Sequence, residues 1–264
     1  MIIQASEANA GPWGGHTMVL MSQKLTSIVG RTEILKEVGD DPYTRMSVSD
    51  SSVAYSSSRA IAWFTNTPWA PLVTLRGDAE DSLGLYAELR RLGRITVGSW
   101  LRTPLSTEAF NSLPGLRKRE SWLFRWTSSP PPPYGKEDKV VPVESENHHE
   151  IARLLRSGNP DTVIRPDDPG IHRWYGIWEG DQLLACGADR SFGGVGYLAA
   201  ITVSPGERRK GYGAALTAAM VRRLILAMGA VGLGVNIANL GAIALYERLG
   251  FKDSVGVTTF EVVD

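Results

Sequence analysis

The chain has 264 residues, 43% hydrophobic and 21% charged: enough apolar material for one large or two ordinary domains, and too much for a disordered chain. Formal net charge is zero, which argues against a nucleic-acid protein acting through bulk charge. Cys186 is the single cysteine and the four histidines lack zinc-site spacing, so neither an intramolecular disulfide nor a metal centre is expected.

Taken in chain order, residues 1–21 lack a basic leader and an unbroken apolar run, so no signal peptide is expected. Residues 25–38 read as a helix stopped by Gly39. Residues 46–55 and 58–65 read as a strand hairpin, and residues 71–75 as a further strand. In residues 78–91, Leu83, Tyr86 and Leu89 recur at helical spacing, with acids first and arginines last. A strand over 94–101, a short helix over 107–113 and a strand over 121–126 complete the first part. The run from Ser128 through Pro133, followed by polar and charged residues, reads as a linker.

The second part opens with a strand over 140–143 and a helix over 146–157. The proline-rich residues 159–171 read as a loop. Strands over 174–178 and 182–190 flank a turn at Glu179, Gly180 and Asp181. A strand over 197–203, a helix over 211–228 and a buried strand over 230–237 follow. Asn239 caps a helix to Leu249, Gly250 stops it, and residues 255–263 close as a strand. Residues 224–246 carry no charge and are long enough to span a bilayer, but their glycines and change of period read as helix, strand and helix instead.

The join at 203–213 is the chemically loaded stretch. It runs from a strand into a helix and places Arg208, Arg209 and Lys210 before Gly211 and Gly213. A helix begins with unpaired N–H groups and a positive dipole end, and glycine lets a phosphate reach the backbone. No Gly-Lys-Ser/Thr and no Gly-x-Gly-x-x-Gly is present there, so neither nucleotide fingerprint applies.

Val203-x-Pro205-x-x-Arg208-x-x-Gly211-x-Gly213 resembles motif A of the GNAT acyltransferase superfamily. Asn239, followed by Leu245-Tyr246-x-x-x-Gly250-Phe251, resembles that family's second signature. The resemblance implies an α+β fold with a central, mostly antiparallel sheet flanked by helices, and acetyl-CoA (or another acyl-CoA) as co-substrate without a metal. It implies that the backbone of Arg209, Lys210, Gly211, Tyr212, Gly213 and Ala214 holds the pyrophosphate, with the Arg208 cation nearby. The backbone of Ile201, Thr202 and Val203 would pair with the pantetheine arm, in a slot opened by two splaying strands. Asn239 would contact pantetheine, cap its helix, or both. Tyr246 matches the family's tyrosine acid; the alternative is a core tyrosine on an amphipathic helix. The strand before motif A carries no acid, so no base is assigned; Asp189, His172 and Glu179 are substitutes that read better as surface residues.

The first part repeats the element order of the second, which suggests a tandem arrangement: a degenerate GNAT-like domain over 1–134 and a catalytic domain over 140–264. Where the second has cations and glycines, the first has Asp78, Glu80 and Asp81, which repel a pyrophosphate. Trp63, Trp69, Trp174, Tyr175 and Trp178 could wall an acceptor cleft, although core packing suits most of them better. The resulting expectation is a cytoplasmic N-acetyltransferase acting on a small-molecule or peptide amine, with neither nucleic acid nor membrane as partner. The competing class is an acyl-CoA-binding scaffold without turnover. The acceptor site is expected at loop 159–171 and the face between the two parts.

Overall fold

The computed structural model describes residues 25–67, 70–106 and 108–264; the expectation for residues 1–21 and the placement of Trp69 lie outside them. Residues 25–38 are not one helix. Thr26–Val29, with three β-branched residues of four, forms strand β1, Gly30 turns at a φ of 90°, and helix α1 covers Arg31–Val38. Residues 46–55 also depart from expectation. Asp41 accepts from the Thr44 N–H and Pro42 sits in the first turn, so helix α2 runs Pro42–Ser47 and strand β2 is only Val53–Ser56. Strands β3 (Ala60–Asn66) and β4 (Pro71–Gly77) and helix α3 (Ala79–Arg91), capped by Asp78, follow as read. Strand β5 starts late, at Trp100–Pro104, because residues 93–99 turn back under α3 through Gly93 and Gly98, both at positive φ. The short helix is a 3-10 turn over Glu108–Ser112, and strand β6 is long, Leu116–Thr127.

The second part contains β7 (Val141–Val143), α4 (His148–Gly158), β8 (Arg173–Glu179), β9 (Gln182–Asp189) and β10 (Gly196–Val203). Helix α5 (Tyr212–Met228), β11 (Val231–Asn236), α6 (Leu240–Arg248) and β12 (Asp253–Val262) complete it. All strands join one 12-stranded sheet in the order β1-β2-β3-β4-β5-β12-β6-β11-β10-β9-β8-β7. The β4/β5 and β10/β11 pairs are parallel, each crossed by a helix, α3 or α5; the other pairs are antiparallel. This is the mixed, mostly antiparallel α+β sheet with flanking helices that the sequence implies.

The order reads the same outward from its centre, where two strands cross over. Strand β6 precedes the proline run yet pairs with β11, while β12 ends the chain yet pairs with β5. Side chains follow their strands. Phe260 of β12 is buried beside Val73, Leu85, Leu89, Leu101 and Phe110. Phe124 of β6 is buried with Tyr43 and Trp63 and stacks on Tyr197 of β10, ring planes 4° apart at 6.1 Å. Burial of each such ring stabilises the fold by about 2–3 kcal/mol, so the two parts share a core rather than merely touching. Along α5, Leu216, Met220, Val221, Leu224 and Ile225 pack on Val231, Leu233 and Leu198. The segment after β6 is strapped to that helix: Arg222 donates to the Pro131 carbonyl at 2.7 Å and pairs with Glu137 at 2.8 Å. Among the described residues no helix is long and apolar enough to cross a membrane, and no group of His, Cys, Asp or Glu could hold a metal ion.

Candidate active site

The site begins with a strand that leaves its neighbour. Parallel pairing of β10 with β11 covers only Gly196–Leu198 against Val231–Leu233. A bulge then shifts the β9/β10 register between Ala199 and Thr202, with Ala200 held at a φ of 52°. A left-handed non-glycine residue costs about 1–2 kcal/mol and bends its strand. Beyond it, Thr202 and Val203 stay paired with Cys186 and Ala185 of β9, while the other edge of Ile201, Thr202 and Val203 has no pairing to β11. The result is a slot between two strands with open backbone on its wall.

The slot leads to the start of α5. Arg209 and Gly211 both lie at positive φ, 66° and 89°. Gly211 is the cap residue, with no side-chain cap bond and no acid in the first turn. The first intrahelical bond is Ala215 N–H to the Gly211 carbonyl. The N–H groups of Tyr212, Gly213 and Ala214 therefore have no partner within the helix and point outward at its positive end. The cations are already partly engaged. Arg208 donates to the Gly158 carbonyl at 2.8 Å, and Lys210 binds Glu207 at 2.9 Å, a bond that holds its ammonium above its usual pKa. Arg209 is exposed on the loop. Lys136, which sequence reasoning missed, reaches in from the strap to the Lys210 carbonyl at 2.8 Å and lies 4.3 Å over the Tyr212 ring.

On the far side of β11, Asn239 caps α6 by accepting from the Ala242 N–H at 3.1 Å. The helix ends in a Schellman motif: Phe251 N–H bonds the Tyr246 carbonyl, Gly250 N–H bonds the Glu247 carbonyl, and Gly250 sits at a φ of 94°. The motif draws the Phe251 ring to 5.8 Å from that of Tyr246. Tyr246 is buried, and desolvation, with a smaller contribution from Tyr197, pushes its phenol up to about 12. The phenol is therefore neutral and able to donate at physiological pH. Arg125, buried on β6, holds this corner from beneath through two bonds to the Phe251 carbonyl, 3.1 and 2.8 Å, and a 2.9 Å pair with Glu247.

A cleft of about 1120 Å³ opens beside the slot, lined by the 159–164 loop, by Gly234, Asn236, Ala238 and Asn239, and by Trp100, Arg119, Glu120 and Thr259 from the centre of the sheet. Its tryptophan is Trp100; Trp63 and Trp174 are core residues, and Tyr175 lies under Arg223. Asp189 is not a surface residue: it is buried, accepting from both the N–H and the hydroxyl of Ser191 to shape the turn after β9. His172 and Glu179 are exposed, His172 bonding the Ser191 carbonyl at 2.8 Å. Two further side chains reach the slot. The Tyr197 hydroxyl lies 3.1 Å from where a Cβ on Gly234 would stand, with Trp122 at 3.6 Å. Neither the Trp122 contact nor Glu120's place in the cleft has a local signature, because both depend on β6 lying beside β11.

A model of the acetyltransferase (GNAT) family matches residues 124–251. No curated protein matches this sequence. Among solved structures, a GNAT-family protein of Novosphingobium aromaticivorans DSM 12444 is similar over 84% of this chain and 94% of its own, with 17% identity and a TM-score of 0.53. A GCN5-related N-acetyltransferase from Sphaerobacter thermophilus matches over 88% and 86%, with 16% identity and a TM-score of 0.51. A GNAT-family acetyltransferase from Colwellia psychrerythraea matches over 91% and 100%, with 11% identity and a TM-score of 0.53. At these identities the structural likeness is one of fold, and it extends over most of the chain. The family match, the splayed strands and the two sequence signatures agree: residues 124–251 form a domain of the GNAT acetyltransferase family.

Proposed function

We propose that the chain is an N-acetyltransferase, moving an acetyl group from acetyl-CoA to a small-molecule or peptide amine in the cytoplasm. The observation that carries this reading is the open edge of β10, continuous with the uncapped start of α5. Open strand backbone suits the amides of a pantetheine arm, and free N–H groups at a positive helix end suit a pyrophosphate. Ile201, Thr202 and Val203 take the first role. The backbone of Arg209, Lys210, Gly211, Tyr212, Gly213 and Ala214 takes the second, with Arg208 holding the loop to α4 and Asn239 bordering the arm. The buried, unpaired Cys186 suits a reducing compartment.

In this reading the acceptor nitrogen attacks the thioester carbonyl, the C–N bond forms, and the C–S bond breaks. Tyr246 donates to the departing sulfur. In water a thiol near about 8.5 is a stronger acid than a phenol near about 10, so donation would run uphill. The Tyr246 hydroxyl, kept neutral by burial, instead stabilises the departing sulfur as a hydrogen-bond donor while charge develops on it.

The first part, 1–134, reads as a degenerate counterpart of the second, 140–264. Its parallel pair also separates, after Thr74 and Arg102, but Leu105 packs against Gly256 where a Cβ would meet it at 2.3 Å. Asp78 caps α3, and Arg59 pairs with Asp78 and Asp81, which leaves a poor site for an anion. The test is a mixture of protein, acetyl-CoA and primary amines in which free CoA and acetylated amine are both measured. Equimolar formation is expected; tight CoA binding with neither product would favour a binding scaffold instead.

A further inference from the structure

Strand β10 offers no carboxylate, yet an alkylammonium near about 10.4 must lose a proton before it can attack. The crossing of β6 and β12 supplies a carboxylate from elsewhere in the chain. Trp122 of β6 pairs with Asn236 at the end of β11, and the Ile237 N–H reaches the Ser121 carbonyl at 3.3 Å. Glu120 is the next residue along β6. It pairs with Thr259 of β12, and both residues line the cleft together with Gly234, Asn236 and Asn239. Among the described residues the Glu120 carboxylate takes part in no hydrogen bond or ion pair. Its neighbour Arg119 is matched by Glu261 at 3.4 Å.

We propose that Glu120, brought into the cleft by the strand that the first part contributes, takes the proton of the acceptor ammonium. The proposal rests on the acyl-transfer reading above. The ammonium gives one proton to the Glu120 carboxylate, directly or through one water. The neutral nitrogen then forms the C–N bond as the C–S electrons leave on sulfur. A second nitrogen proton passes to the thiolate by way of the Tyr246 hydroxyl, and Glu120 releases its proton to solvent. The products are an amide, CoA thiol and one proton.

The surroundings favour Glu120 over Asp161, the other acid of the cleft. Asp161 lies on the 159–164 loop, whereas Glu120 sits on a strand of the sheet, paired with Thr259 of β12. Its charge is felt at the Tyr197 hydroxyl, where burial raises the phenol most, Arg102 and Arg190 oppose, and Glu120 adds a smaller push upward. Glu120 and Gly234 thus line the same cleft, with Glu120 beyond the end of the β6/β11 pairing at Asn236. The charged and titratable groups around it are Arg119 of β6, Arg102 of β5, Glu261 of β12, Tyr197 of β10, and Asp161.

The experiment compares the wild-type chain with Glu120→Gln, using acetyl-CoA, a panel of primary alkylamines and fluorinated analogues that are neutral at the assay pH. We expect kcat/KM to fall about 10²-fold or more on ordinary alkylamines but less than about threefold on the fluorinated ones. The loss should shrink as pH rises toward the amine pKa, with CoA affinity unchanged. An equal loss on both classes, or none, overturns the role of Glu120 and leaves the acyl-transfer reading standing. Wild-type protein that binds CoA but acetylates no amine overturns both.

Discussion

Replacing Tyr246 by Phe removes one hydroxyl and little else. The ring stays in its Schellman corner 5.8 Å from Phe251, so most of the aromatic packing is kept. Stability should change by no more than about 1 kcal/mol, the net worth of a single neutral hydrogen bond. The kinetic effect should be larger. The shift to about 12 shows that the site disfavours a phenolate, so the wild-type hydroxyl stays protonated through the working pH range. It can donate to developing charge on sulfur without first being reorganised. Loss of one such donor costs about 10²–10³ in kcat, or about 3–4 kcal/mol. The assay is steady-state release of CoA thiol beside thermal unfolding and CoA-binding calorimetry. We expect kcat to collapse while Tm and CoA affinity hold. Unchanged kcat would refute the acid role and leave Tyr246 as a core tyrosine.

Three further outcomes follow. Tyr43, Tyr197, Tyr246 and Cys186 all have folded pKa values raised by burial, so between about pH 9 and 12 the unfolded chain binds fewer protons than the native one. Stability to denaturant should therefore fall as pH rises through that window, and a flat profile would contradict the burial of these groups. Arg125→Met removes the clamp on the end of α6; it should cost about 2–4 kcal/mol and lower Tm by about 5–15 °C, with turnover falling more than CoA affinity. Gly232→Ala would bring a Cβ to 2.4 Å from the Phe124 ring of β6, so denaturant unfolding should show a loss of about 1–3 kcal/mol.

Features whose physics is local were legible in the sequence. The cations and glycines of 208–213 mark a helix start because caps and left-handed positions are decided within a few residues. The Gly250–Phe251 ending was equally local, and it proves to be the structure that holds Tyr246. The large cleft is lined by residues 159–164 of the proline-rich loop and by residues of both parts. Illegible features depend on pairing between distant strands. Glu120 and Arg125 gain their places only because β6 lies between β11 and β12. Asp189 was misread because its burial follows from a turn closed by Ser191 rather than from strand periodicity. Near residues 25–55, Gly30 and the Asp41–Pro42 cap overrode apolar patterns that suggested a longer helix and a longer strand.

The central claim is that one slot, between β10 and β11, serves acyl transfer. The most direct measurement quantifies free CoA thiol and N-acetylated amine in the same reaction, with CoA stoichiometry taken by calorimetry on the same protein. One CoA bound per chain and the two products in equal amounts are expected. CoA bound at the first part as well, or bound with neither product formed, would contradict the claim.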